Sequence, residues 1–198
     1  MKKAYEFDFV KDTQQVFRML LQALANPGRV YSIEKQAAGF THPWKEQLAI
    51  GCTLLDNETT YYVEKTEVLH TSLAELTLAE PVKIEEAQYI FLTSPINYVN
   101  WENLLKGVRR GTLADPQQSA TIFVYTDTFE GTQEVDLEGP GIDGVYTRNM
   151  PEYMYRLLLT RQEINFEYPC GVDVYFVNGA GEIMGFPRLC KISERKVG

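Results

Sequence analysis

Tyr168-Pro-Cys-Gly-Val-Asp-Val-Tyr-Phe-Val-Asn-Gly-Ala-Gly-Glu-Ile-Met-Gly-Phe-Pro-Arg188 begins with a turn at Pro169 to Gly171 and enters a β-branched and aromatic run, Val172 to Val177. It turns again at Asn178-Gly179, resumes at Ile183-Met184 and stops at Pro187-Arg188. Asn-Gly between two such runs is a strong short-range hairpin signal, and Gly181 points to a loop longer than two residues. Asp173 is the odd residue, because an acid inside a strand needs a partner or an exposed face.

Outward from this stretch, interleaved helical and strand patterns run along the chain. Asp12 and Gln15 read as a capping box, and Val16, Phe17, Leu20, Leu21 and Leu24 as one inward stripe ending at Asn26-Pro27-Gly28. Arg29 to Ile33 reads as a short strand. His42-Pro43 starts a helix to Asp56, Thr59 to Val63 is a strand, and Ser72 to Leu78 a short helix. Gln88 to Leu92 and Ala120 to Thr126 read as buried strands, with a helix from Asn100 to Lys106 between them. Thr132 to Leu137 alternates polar and apolar, as a half-exposed strand does. A last helix opens at Asn149 to Glu152, with Met154, Tyr155, Leu158, Leu159 and Gln162 inward. Strands alternating with helices predict an α/β protein: a single layered α/β/α domain over residues 1–198, with a mixed sheet and antiparallel strands at its edge.

Composition narrows the function classes. The chain has 198 residues, 44% hydrophobic and 23% charged, as an ordinary globular domain has. No apolar run approaches the ~18 residues of a membrane span, and the N-terminus lacks the apolar core of a signal peptide. The expected location is the cytoplasm, with no membrane association. A net charge of −8 argues against a nucleic-acid binder and leaves room for protein partners of complementary charge. Cys52, Cys170 and Cys190 are odd in number and without Cys-x-x-Cys spacing, so reduced thiols are expected; His42 and His70 are too far apart in sequence to suggest a metal site.

The candidate chemistry is sparse. Gly139-Pro-Gly-Ile-Asp-Gly144 matches Gly-x-Gly-x-x-Gly formally, yet Pro140 offers no N–H and no amphipathic helix follows at once, so it reads as a turn. Lys106-Gly-Val-Arg-Arg-Gly-Thr112 is the densest basic segment; Arg109 and Arg110 there suit either a helix C-terminus or a phosphate. Arg29 and Arg188 each lie close after a proline, and either guanidinium would suit a carboxylate, Asp173 or Asp56, or a phosphorylated ligand. An internal Arg–Asp pair is the favoured use. No P-loop, Gly-x-Ser-x-Gly or Ser-x-x-Lys motif is present, so no catalytic residue, metal or cofactor is assigned.

Four segments carry a resemblance. Tyr168-Pro169-Cys170-Gly171-Val172-Asp173 with Gly185-Phe186-Pro187-Arg188, Val16-Phe17-Arg18 running into Pro27-Gly28-Arg29-Val30, Leu54-Leu55-Asp56 with Glu58-Thr59, and Gly139-Pro140-Gly141-Ile142 resemble, in order, the PhnH family of the bacterial carbon–phosphorus lyase system. The resemblance implies a fold similar to pyridoxal-phosphate transferases without the cofactor site. It also implies an accessory, non-catalytic subunit, a homodimer, working with PhnG, PhnI and PhnJ. With PhnL, that assembly transfers the ribose triphosphate of ATP to methylphosphonate and displaces adenine; the family attributes the nucleosidase step to PhnI and the later carbon–phosphorus cleavage to the iron–sulfur subunit PhnJ. A second hypothesis of a different class is a stand-alone phosphonate- or nucleotide-binding enzyme with an arginine-lined pocket.

Overall fold

The computed structural model describes residues 5–94, 101–164 and 166–195. In chain order the elements are helix α1 (Lys11–Ala25), strand β1 (Val30–Ser32), helices α2 (Glu34–Ala37) and α3 (Lys45–Leu54), strand β2 (Thr60–Val63), helix α4 (Glu67–Thr77), strands β3 (Glu80–Pro81) and β4 (Tyr89–Leu92), helix α5 (Trp101–Gly107), a 3₁₀ turn at Pro116–Gln118, strands β5 (Thr121–Thr126), β6 (Gln133–Glu138) and β7 (Tyr146–Met150), helix α6 (Glu152–Glu163), and strands β8 (Asp173–Asn178), β9 (Glu182–Phe186) and β10 (Lys191–Glu194).

Seven strands form one sheet in the order β1-β9-β8-β5-β4-β2-β3. From β3 to β8 all neighbours are parallel; β9 and β1 close that side antiparallel. A second sheet, β10-β6-β7, is wholly antiparallel. The fold is mixed α/β.

Alternation along the strands sorts the core into two faces. Tyr61, Phe91, Phe123, Tyr175 and Ile183 point to one face, where they meet Val16, Leu20, Leu48, Leu69 and Leu73 of α1, α3 and α4. Ile90, Ile122, Val124, Val174, Phe176 and Phe186 point to the other, against Trp101, Leu105, Met154 and Leu158 of α5 and α6 and the inward residues of the small sheet. The parallel register sets Phe91, Phe123 and Tyr175 side by side, stacked at 5.2 and 5.0 Å between ring centroids. The Tyr175 hydroxyl donates to Leu20 O at 2.9 Å, tying α1 to the central strands.

Several local expectations are corrected. Helix α1 is capped by Asp8, whose Oδ1 accepts from Val10 N and Lys11 N while Asp12 Oδ2 accepts from Asp8 N; Gln15 instead accepts from the Gln36 amide. Phe17 and Leu21 are 46% and 50% exposed, so the inner stripe of α1 is Val16, Leu20 and Ala23. Helix α3 starts after Trp44, whose N–H donates to His42 Nδ1 at 3.0 Å, so His42 takes the capping role and Pro43 stays outside. Helix α4 begins at Glu67, before the expected Ser72, and ends at Leu78 in the left-handed conformation. On α6 the fully buried residues are Met154, Leu157, Leu158 and Arg161; Tyr155 is half-buried against the same core, while Leu159 is half-buried and Gln162 exposed. The expected cap Asn100 lies outside the described residues.

The Gly139–Gly144 segment is the β6–β7 turn, closed by Ile142 N donating to Gly139 O at 3.1 Å. Gly141 has φ +84°, and a Cβ there would lie 2.1 Å from Ala25 O, so glycine lets this turn sit against the end of α1.

Candidate functional site

The hairpin β8–β9 presents the two ends of its sequence at one place. Asn178 Oδ1 accepts from Ala180 N and Glu182 N and shapes the three-residue loop, so Asp173 at the start of β8 faces the chain leaving β9. There Arg188 meets Asp173 twice through its side chain, Nη2–Oδ2 at 2.7 Å and Nε–Oδ1 at 3.3 Å, and once through its own N–H at 2.7 Å. Its Nη1 donates to Pro116 O at 2.7 Å. Both side chains are largely buried, at 20% and 14% exposed, so the fork holds β8, the segment after β9 and the 3₁₀ turn together in a partly desolvated setting.

Beside this pair lies a cleft of about 270 Å³. Its walls include Arg161, Arg188 and Lys191, with Phe166, Tyr168 and Leu189 supplying apolar surface. Arg161 projects from α6 and is only 3% exposed. Its Nη1 donates to Phe186 O at 2.8 Å and Val172 O at 3.4 Å, and its Nη2 to Cys190 O at 2.9 Å. No carboxylate touches it among the described residues, and burial pulls its guanidinium below its ordinary value, with Asp173 opposing through space. Gln162, next on the helix, exchanges hydrogen bonds with Ile192 N and O and so shields the free edge of β10. Burial pushes the Cys190 thiol, also in the cleft wall, up to about 11 despite the neighbouring Arg161.

The other sequence candidates fall at several places. Arg110 reaches the same region: its carbonyl accepts from Gly171 N at 3.0 Å and its guanidinium lies 5.9 Å over the Phe166 ring. Arg109 turns away, donating to Glu86 O and Gln118 Oε1. Arg29 is exposed and lies over the Tyr146 ring at 5.8 Å. Asp56 sits in an exposed turn, accepting from Glu58 N at 3.0 Å. Thus Asp173, Arg188 and Arg110 converge, while Arg29, Asp56 and Arg109 do not join them. Sequence reasoning missed Arg161; its one signal was a cation at the spacing of the apolar stripe Met154, Leu157 and Leu158.

Among the described residues no group of His, Cys, Asp and Glu is arranged to hold a metal ion, and no helix is long and apolar enough to cross a membrane.

A protein of Stutzerimonas stutzeri, provisionally named as the C-P lyase subunit protein HtxG, is 24% identical over 181 residues, covering 91% of this chain and 85% of that protein. The family model described as "Bacterial phosphonate metabolism protein (PhnH)" matches residues 6–193, and the chain therefore belongs to the PhnH family.

Proposed function

We propose that this protein is an accessory subunit of a carbon–phosphorus lyase assembly, acting in phosphonate catabolism beside PhnG, PhnI and PhnJ. In this reading it is required, with PhnG, PhnI and PhnL, for transfer of the ribose triphosphate of ATP to methylphosphonate, and does no chemistry itself. It is one cytoplasmic domain, self-associates as a homodimer when alone, and shares the layered architecture of pyridoxal-phosphate transferases without their cofactor.

The observation that carries the proposal is how the family's signature residues are used. Asp173 and Arg188 satisfy each other and brace a loop, and Gly139 to Ile142 makes a close turn against α1. These are the contacts of a scaffold. A second support is apolar surface: Val10 just before α1 and Phe17 and Leu21 on it are 78%, 46% and 50% exposed, and α1 packs beside β1, the edge strand of the large sheet, whose Val30 is 41% exposed. An apolar helix face next to an unpaired strand edge is the surface an interaction subunit offers.

The test is reconstitution of the four proteins with ATP and methylphosphonate, following adenine release. The expected result is release that needs this chain together with PhnG, PhnI and PhnL, and none from this chain alone. Adenine release of the same rate without the chain would reject the role.

A further inference from the structure

We infer that the crevice where β2 and β4 send their chains to opposite faces of the large sheet binds the head of a small organic cation, a primary ammonium or guanidinium group. The inference goes beyond the assembly role and does not rest on it.

Topology is the first argument. Strands β2 and β4 are parallel neighbours. After β2 the chain passes to α4 on one face, and after β4 to α5 on the other. Chains that part in this way open a crevice beyond the carboxyl ends of the strands, the usual ligand position in open α/β sheets. Helix α3 begins at the same end, since Gln47 Nε2 in its first turn donates to Leu92 O at 3.0 Å. Glu64 is held there by its N–H donating to Phe91 O at 2.9 Å and by Thr93 Oγ1 donating to Glu64 O at 2.8 Å.

Unmet hydrogen bonding is the second. Among the described residues four buried side-chain oxygens lack a partner, and three belong to this end of the sheet: Glu46 Oε1, Gln47 Oε1 and Glu64 Oε2. Glu46 is 3% exposed and Gln47 fully buried. Folded proteins seldom leave such atoms bare without a reason. The Gln47 amide cannot turn to help, because its Nε2 is spent on Leu92 O. All three bare atoms are acceptors, so the missing partner is a donor.

Charge is the third. Two of the three oxygens belong to carboxylates, which favour a cationic donor. The lysines nearby do not fill that place: Lys45 Nζ stays 3.8 Å from Glu46 Oε1, and Lys65 Nζ lies 3.6 Å from Glu64 Oε1, away from the bare Oε2. Among the described residues no group of His, Cys, Asp and Glu is arranged to hold a metal ion, which leaves N–H donors. Burial, and then the charges of Glu46 and Asp127, lift the Tyr125 hydroxyl above its ordinary value, so this ring borders the same acids. Trp44 meets it edge-on at 5.1 Å, and such rings are surfaces on which organic cations rest.

The full chain, labelled with nitrogen-15, would be titrated at constant ionic strength with the chlorides of ethylammonium, guanidinium, tetramethylammonium and magnesium. The Trp44 indole and Thr93 amide signals are followed. Saturation by ethylammonium, guanidinium or both is expected, at least about fivefold tighter than by tetramethylammonium, which carries the charge without an N–H donor. Magnesium should not saturate these signals. Glu46→Gln keeps the shape, removes the charge and should weaken binding by about tenfold while the melting temperature at pH 7 does not fall, so lost binding is not lost fold. Glu64→Gln should weaken it by about three- to tenfold, and Glu152→Gln on the outer side of α6 should change nothing.

No saturation by either N–H cation up to about 50 mM, a regime of weak binding energy, would overturn the inference. So would an equal response to tetramethylammonium, or binding that ignores both Glu46→Gln and Glu64→Gln. Signals that move only when PhnG, PhnI and PhnJ are added would give the crevice to a partner's basic side chain and reject the small-molecule site.

Discussion

Glu46 sits in the first turn of α3 at 3% exposure, its Oε1 without a hydrogen-bond donor and 3.8 Å from Lys45 Nζ. Desolvation raises its carboxyl above the ordinary 4.5, against the opposing pull of its own backbone N–H and of Lys45. A raised folded-state value means the folded form holds the proton more tightly than the unfolded one. The stability this residue contributes is then full below the unfolded value and is lost as pH rises through the folded one. Glu46→Gln should leave the melting temperature little changed near pH 4 and raise it near pH 7, where the native protein must bury a charge. Thermal melts at the two pH values decide it, and an equal offset at both would count against the buried carboxylate.

At the scale of elements, the Arg188–Asp173 fork joins the start of β8, the exit of β9 and the 3₁₀ turn through Pro116 O. Arg188→Ala leaves a largely buried carboxylate unpaired and should cost about 3–5 kcal/mol in urea unfolding. Replacing both residues by apolar ones of similar size should cost much less than the single change, since no charge is then stranded. Equal losses in the single and double variants would contradict this account of the fork. This pair was only partly legible in the sequence: an acid in a strand demands a partner, but Arg29 and Arg188, and Asp173 and Asp56, were equally available there, and only the fold chooses between them. The β8–β9 hairpin was legible too, from Asn178-Gly179 and the apolar runs on either side. Strands β3 and β10 were not: Glu80–Pro81 and Lys191–Glu194 are short and polar, and only the neighbouring strands make them sheet. Phe17 and Leu21 misled for a related reason, since helical spacing shows which residues share a face but not whether anything covers it. Arg161 escaped because its partners are the carbonyls of three residues distant in sequence, and backbone acceptors leave no mark in composition.

For the whole molecule, the two faces of the seven-stranded sheet are each covered, by α1 to α4 on one side and by α5, α6 and the small sheet on the other. Among the exposed apolar residues, Phe17 and Leu21 on the outer side of α1, Val10 just before it and Val30 on the β1 edge lie at one side of the large sheet. An open apolar face on an acidic protein is a surface that a partner of complementary charge can cover. The most direct test is co-purification of the tagged chain with PhnG, PhnI and PhnJ, read as native mass, with a Phe17→Ser, Leu21→Ser variant alongside. The account predicts one stable complex containing all four proteins, and its loss or weakening in the variant while the fold is kept. A chain that runs alone at native mass whatever its partners, with its apolar face intact, would contradict the assembly reading.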